Sequence, residues 1–581
     1  MPVARTIPST SNNGVVTFTV KIGGDAVPKS INIASAVIQH QANRIPSCRL
    51  IIYDGEAAKS DFPVANGEFF IPGKEMELWA GFSSEEELLF KGIIIKQSIK
   101  LRQDTSPTLE IIAKDACVQL TTNAKQKYFS EKSDKQMIEE IVEEAGLTAE
   151  VSDTGAALKE MVQYHASDWD FILMRAEANG LICYCEDGKL LAQKPNLTAD
   201  ASLELLFGAS LLELDAEQDA RTQFSDLHAQ TWSHADQQLI DVAANAPQIN
   251  EAGNITANDL SAVTKNEKKI IQHGGAIPQQ QLQQWADAQL MRTKLSKIRG
   301  SAKFRGYAAV KPGQMISLNG IGDRFNGDVY ISGIRHELYG GEWSTVAQFG
   351  LDAESFASKI QTNNLSVPGF VPAVKGLHVG IVTDLEDPQN EFRVKVKIPA
   401  VSMQEEGMWA RMMMPDAGNN RGFFFRPEVG DEVVLGFFHE DPNYAVVLGC
   451  LHSSANTAPL HQSNDNHEKG LYTRSEMKWV WNDEKKSFTT ETPGGKKIII
   501  DENAAKIEIA DENQNKIVMN ADGITIEAGK AVTIKAGTDL KLQSLNAEMK
   551  ADVNGKINAG AAMELSSGGS TSVKGATVMI N

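Results

Sequence analysis

Two carboxylates one residue apart, Asp168 and Asp170, come nearest in this sequence to a general acid and base. Both fall in the first turn of a helix, where carboxylates accept from free N–H groups and suit the positive end of the helix dipole. That position makes them caps rather than catalysts. His336–Glu337 and His439–Glu440 set a ring nitrogen beside a carboxylate, but neither has the second His four residues on that a helical zinc site requires. Cys183 and Cys185 flank Tyr184 on one strand face and read as packing residues. Trp169 and Phe171 read as helix-start core residues, and Met412, Met413 and Met414 as core packing or a contact between chains. There is no G-x-S-x-G elbow, no H-E-x-x-H pair, no phosphate-binding glycine loop and no spaced Cys/His cluster. The expectation is a protein that is not an enzyme, with no catalytic residue, cofactor or metal.

The elements that hold these residues are mostly strands. Residues 1–120 alternate apolar and polar side chains in short runs (VTFTVKI, SCRLIIYD, EMELWAGF, TLEIIAKDA) separated by turn signals, the pattern of a barrel or sandwich. Ser133 with Gln136 forms a capping box ahead of Met137, Ile138, Ile141 and Val142, and Gly146 closes that helix. A second helix over 167–179 starts at Ser167 and ends before Gly180, followed by a hairpin, LICYCEDGKLLAQ. Residues 204–233 return to strands. Residues 240–280 read as a polar, irregular surface excursion, and a helix around 278–298 leads back into strands that end near 351. A linker at 353–371 precedes five or six short strands without a helix, which suits an OB-like barrel. A polar neck follows at 456–494.

The last stretch has a period of eight. From Ile524 the chain reads ITIEAGKA, VTIKAGTD, LKLQSLNA, EMKADVNG, KINAGAAM, ELSSGGST and SVKGATVM. Apolar pairs stand two apart in the first three steps (Ile524 and Ile526, Val532 and Ile534, Leu540 and Leu542). The apolar position then moves one place along, through Met549, Ile557, Leu565 and Val573. Each step is a strand of about four residues and a bend, with Gly529, Gly537, Asn554 and Gly555 where unusual φ is tolerated. One such chain hides one or two apolar side chains per turn, and repeats of this kind are stable only when neighbours bury a common face. The expected solution is three identical chains wound into a prism. About ten rungs at ~4.8 Å give a rod on the order of 50 Å long. A single-chain solenoid or a Gly/Ala-rich tail is the bland alternative.

Composition narrows the class. A chain of 581 residues exceeds one core and suggests three or four domains. With 42% hydrophobic and 23% charged residues and no membrane-length apolar run, it reads as a globular protein. A net charge of −19 argues against nucleic acid as a partner. Five cysteines form no disulfide framework and fit a reducing compartment. The N-terminus lacks the apolar core of a secretory signal, so synthesis and assembly are expected in the cytoplasm, with export by a dedicated machine.

Four ordered blocks resemble the VgrG family, the spike proteins of type VI secretion, and the fused hub and needle of contractile phage tails and extracellular contractile injection systems. The first runs from Gln163 to Tyr184 and is similar to a family pattern at Gln163, Tyr164, Ser167, Asp168, Phe171, Arg175, Glu177 and Gly180. It departs at Ala166, where a Glu is usual, and its late Glu is displaced by one. The second is KPGQMISLNG followed by VYISGIRHEL. The third and most specific is an OB-fold signature at Pro427, Gly430, Asp431, Glu432, Val433, Asp441, Pro442, Val447 and Gly449. The fourth is the octad run. The resemblance implies a mainly β, multidomain fold: a phage-hub-like double β-barrel with inserted α/β segments, an OB-fold domain and a C-terminal triple-stranded β-helix. The expected boundaries are 1–360 for the hub (helical insertions around 130–200 and 240–298), 372–455 for the OB-fold, 456–494 for the neck and 496–581 for the needle. It also implies a homotrimer whose six similar hub barrels cap a hexameric inner tube, with baseplate proteins around it. A PAAR-like tip protein would dock on Val578, Met579, Ile580 and Asn581, effector cargo could ride with it, and the target membrane would be met only on firing. No lysozyme domain lies between OB-fold and rod and no toxin domain follows GATVMIN, so the implied spike is unarmed. A trimeric receptor-binding fibre and a tail-associated cell-wall enzyme are the competing classes. A fibre should end in an aromatic-rich head, and an enzyme needs a cleft with convergent carboxylates.

Overall fold

The computed structural model describes residues 6, 8, 14–233, 238–265, 267–273, 277–356, 374–440 and 443–580. Asp441, Pro442 and Asn581 lie outside them. The chain forms two compact units, one up to residue 374 (with 439–442) and one from 375 on.

The first unit is built on one thirteen-stranded sheet. Strands Val16–Ile22, Ile33–Gln41, Ser47–Tyr53, Glu75–Phe82, Glu85–Arg102 and Thr105–Lys114 enclose a core containing Ile38, Leu50, Ile52, Leu78, Phe90 and Leu109. Strands Leu203–Leu206, Leu211–Gln218, Ile298–Arg305, Met315–Asn319, Gly327–Tyr339 and Glu342–Phe349 enclose a second, with Phe304, Ile316, Leu318, Ile331 and Phe349. The two halves are continuous, because Gly327–Tyr339 pairs antiparallel with Ile33–Gln41 from Gly333↔Gln41 to Tyr339↔Ser35. The expected double barrel is here two cores on one shared sheet, whose central strands leave no edge there for another chain to pair with.

Two insertions sit in this unit. In the first, helices α1 (Asp134–Glu144) and α2 (Asp168–Ala178) share a core with the hairpin Ile182–Glu186/Lys189–Gln193 and the strand Thr148–Val151. The capping box is present: Ser133 Oγ accepts from Gln136 N–H at 3.3 Å, and Gln136 Oε1 accepts from Ser133 N–H at 2.9 Å. The second corrects the sequence expectation for 240–280. Strands Asp226–Ser233, Gln238–Ala243 and Lys268–His273 form a three-stranded sheet, and α3 (Ala257–Val263) lies between the last two. Helix α4 (Gln279–Leu295) lays Leu282, Ala286 and Leu290 on Leu227, Ala229 and Val242. The Asn- and Gln-rich composition masked strands whose one buried face is narrow.

The second unit opens with a closed five-stranded barrel of His378–Asp384, Val394–Lys397, Met408–Met412, Glu432–Phe437 and Ala445–Cys450. Its core is Val382, Val394, Val396, Ala410, Val433, Leu435, Ala445 and Val447. A seven-stranded antiparallel meander follows over Glu468–Glu527. It starts inside the stretch read as a neck, where Glu468–Tyr472, Lys478–Asn482 and Ser487–Glu491 are strands. Ile524 and Ile526, read as the first octad rung, belong instead to its last strand, where Met519↔Ile524 and Ile517↔Ile526 pair.

The barrel core gives a direct test. Leu435→Ala should cost about 2–5 kcal/mol and lower the barrel's calorimetric transition. An unmoved transition would show that Leu435 is not part of the packed core.

Candidate functional site

The block from Gln163 to Gly180 is the most connected set of polar side chains in the first unit. Ser167 caps α2, its Oγ accepting from Asp170 N–H at 3.1 Å. Asp168 is buried and receives Lys125 Nζ at 2.5 Å and Gln163 Nε2 at 3.0 Å, while Gln163 also donates to Ala166 O at 3.1 Å. Phe171 is buried and stacks on Phe129 with centroids 5.7 Å apart. Arg175 forks onto Asp134 at the start of α1, Nε to Oδ1 at 2.6 Å and NH2 to Oδ2 at 2.9 Å, and Asn179 Nδ2 adds 2.8 Å. Glu177 accepts from Asn43 Nδ2 at 3.1 Å, from Arg292 of α4 and from Phe356 N–H at 2.7 Å. Gly180 holds φ +70 after α2, and a Cβ there would press on Ala288 of α4 at 3.3 Å. These residues join α1, α2, α4 and the main sheet. Asp168 and Asp170 both stand in the first turn of α2 behind its cap Ser167, and Asp168 is the buried ion-pair partner of Lys125. The side chain of Tyr164 lies outside the described residues.

The OB signature is a turn and a core strand. Asp431 Oδ2 accepts from Glu428 N–H at 2.8 Å, Gly430 takes φ +97, and Gly430 N–H donates to Val382 O at 2.9 Å. Pro427 is buried, Val433 is fully buried, and Glu432 O accepts from Leu451 N–H at 3.0 Å. Gly449 pairs with Val434.

Three features were not legible as a site. A cavity of about 310 Å³ opens between the main sheet and the hairpin, lined in part by His40, Tyr184, Cys185, Glu186, Lys311 and His336. His336 is buried, with Nδ1 at 2.9 Å from Thr345 Oγ1, and its neighbour Glu337 pairs with Arg335 at 2.7 Å. Tyr184 and Tyr330 share a hydrogen bond of 2.6 Å. Beside the cavity, Cys185 meets Asp115 and Cys117. The spacings D-x-C and C-x-C were the available signals, but nothing local to either says that they meet. Cys183 packs in the same core, as expected. The side chain of His439 lies outside the described residues.

Desolvation, and after it the electrostatic influence of the neighbouring His40 ring, lowers the His336 pKa to about 3. Burial also lowers that of His40, although Leu89 O accepts from its ring and opposes the shift.

These features define a fold class, a two-cored β unit with α/β insertions followed by an OB-type barrel. Residues 378–452 match the model described as the type VI secretion system/phage-baseplate injector OB domain. The chain belongs to the family of the Alg8 N-terminal domain, whose model matches residues 12–340. The OB match bears out the VgrG-family resemblance. So does a stretch of 74 residues that is 34% identical to the type VI secretion system spike protein VgrG3 of Vibrio cholerae; it is 12% of this chain and 7% of that protein's length. Solved structures with a similar chain course include a tail protein from Neisseria meningitidis (TM-score 0.44, 15% identity, 58% of this chain and 97% of that one). Another is the Francisella PdpA–VgrG complex (TM-score 0.37, 10% identity, 90% and 89%). At those scores the likeness carries no functional weight.

Two predictions follow from this geometry. Arg175→Ala leaves the buried Asp134 carboxylate without its main partner and should cost about 3–5 kcal/mol, read as a lower urea midpoint of the first unit. An unchanged midpoint would mean the pair is not a fastening. The second concerns pH. Folded His336 stays neutral down to about 3, whereas the unfolded chain takes up a proton below about 6.5. The unfolded state then binds more protons, so stability rises with pH across that window. The thermal transition should be flat above pH 6.5 and fall below it, by about 1.4 kcal/mol per pH unit for each such histidine. His336→Gln should flatten the slope, and an identical slope in the variant would clear His336 of the effect.

Proposed function

We propose that this chain is the central spike of a contractile injection machine, a structural protein without catalytic activity that acts as a homotrimer. One observation carries the reading. The meander presents an apolar face in cross-strand register, Ile498↔Ile509, Ile500↔Ile507, Ile517↔Ile526 and Met519↔Ile524. In the single chain Ile498, Ile500, Ile507, Ile509, Ile524 and Ile526 are all exposed. Beyond it, residues 529–580 are exposed throughout and form no strand. The chain there bends at 529–530, 537–538, 545–546, 552–553, 560–561, 568–569 and 576–577, steps of eight with one of seven. The short step lies between Leu542 and Met549, where the apolar position shifts by one residue. Bend and apolar position thus share a period, as turns around a common axis require. Such a chain is stable in water only when other copies pair with its backbone and cover Val532, Ile534, Leu540, Leu542, Met549, Ile557, Leu565 and Val573. Three copies wound into a prism meet that need.

On this reading the first unit caps a hexameric inner tube at the baseplate, the OB barrels form a collar, and the rod pierces the target envelope. A PAAR-like tip protein docks on the end carrying the exposed Val578, Met579 and Ile580, with effector cargo as a further passenger. Synthesis is cytoplasmic and the spike leaves the cell on contraction. Nothing favours the fibre or the cell-wall enzyme over it.

Light scattering tests the reading. The full chain should run at three times its own mass, and removal of residues 528–581 should weaken that trimer while both units stay folded. A monomeric full chain would overturn the interwoven needle.

A further inference from the structure

Asp115, Cys117 and Cys185 bring three metal-ligating atoms within 4.8 Å of one another, all buried. Two segments far apart in sequence supply them. Asp115 and Cys117 stand at the start of the short 3-10 turn after strand Thr105–Lys114, and Cys185 stands in strand Ile182–Glu186. Zinc binds thiolate sulfur at about 2.3 Å and carboxylate oxygen at about 2.0–2.2 Å. Three tetrahedral ligands are then about 3.5–4 Å apart, so small side-chain adjustments close this set around an ion.

The surroundings suit an ion. The Asp115 carboxylate is held from behind, Oδ1 accepting from Cys117 N–H at 2.8 Å and Oδ2 from Gly188 N–H at 3.1 Å. A ligating carboxylate is commonly fixed by such outer hydrogen bonds, and each oxygen keeps a second lone pair for a metal. Cys185 also lines the cavity of about 310 Å³, so a fourth coordination position can open towards water or a small ligand there. Two soft sulfurs with one carboxylate favour zinc over magnesium or calcium. The Asp115 carboxylate caps the 3-10 turn, so the backbone itself holds it within 4.8 Å of the two thiols.

We propose that Asp115, Cys117 and Cys185 form a site for a thiophilic divalent cation of the zinc class, tying the hairpin to the end of strand Thr105–Lys114. The spike reading needs no such ion, so the two stand or fall separately. The test uses the full-length protein, reduced, stripped with a chelator and titrated with Co²⁺. The expected result is one equivalent of tetrahedral cobalt with thiolate charge-transfer absorption, displaced by Zn²⁺. Cys117→Ser and Cys185→Ser should each abolish the band, Asp115→Asn should weaken binding by about 10–100-fold, and Cys183→Ser should leave it intact. A band that survives in Cys117→Ser or Cys185→Ser overturns the site. If those variants do not fold, the unaltered protein decides. No cobalt band with all five thiols titratable after denaturation overturns it. So does the absence of a band with two thiols fewer in protein purified without reductant, which would make the pair a disulfide.

Discussion

An extended chain must find partners for its N–H and C=O groups, and that constraint separates the parts of this protein. The thirteen-stranded sheet meets it internally, as strand Gly327–Tyr339 turns the two halves into one ladder. The five-stranded barrel meets it by closing on itself, which leaves no edge. The meander over Glu468–Glu527 meets it along its length but leaves one apolar face in water. Residues 529–580 form no strand and meet it only at scattered backbone groups, such as Gly529 N–H on Asn515 Oδ1 and Gly569 N–H on Ser567 Oγ. Unmet need grows along the second unit, and there the case for other copies of the chain is strongest.

Acidic residues that look available for chemistry are used instead as fastenings. Asp134, Asp168 and Glu177 are buried, and a buried carboxylate is tolerated only when paired and hydrogen-bonded. Each has its cation: Arg175, Lys125 and Arg292. The contacts run between elements far apart in sequence, so losing one partner would loosen two elements at once. Asp168 and Asp170 also stand in the first turn of α2, where the positive end of the helix dipole favours a carboxylate.

What was legible in the sequence was local or periodic. Ser133, Gln136 and Ser167 announced their helices because capping is settled within four residues. Gly180 announced an end because its positive φ is a local demand. The OB strands announced themselves through alternating Val and Leu, and the last stretch through its period of eight. What was not legible depended on distant pairing. Nothing near residue 134 says that Arg175 will fork onto it, and nothing near Cys117 says that Cys185 will arrive. The strands at 238–243 and 268–273 were hidden because their partners, one preceding strand and helix α4, bury only Val242, Ile240 and Ile271. The meander was missed because its strands start about ten residues apart (468, 478, 487, 497, 506, 516, 523), close enough to the octads to be absorbed into them.

The change from that ten-residue step to eight has a structural meaning. A hairpin strand must turn back on itself, so each step carries five paired residues and a reversal. An octad carries a shorter extended run and a bend without reversal, so it proceeds around an axis rather than across a sheet. The switch falls after Glu527, where strand pairing stops and the first bend, at Gly529, begins. Beyond that point aromatic residues are absent and each step carries only one or two aliphatic side chains, which suits a narrow axis shared by several chains. The broad apolar face before it, with Trp479 and Trp481 exposed, suits the wider base on which such a rod would stand. On the spike proposed above, that narrowing from paired strands to single extended turns is where an axial push would fall on a small area.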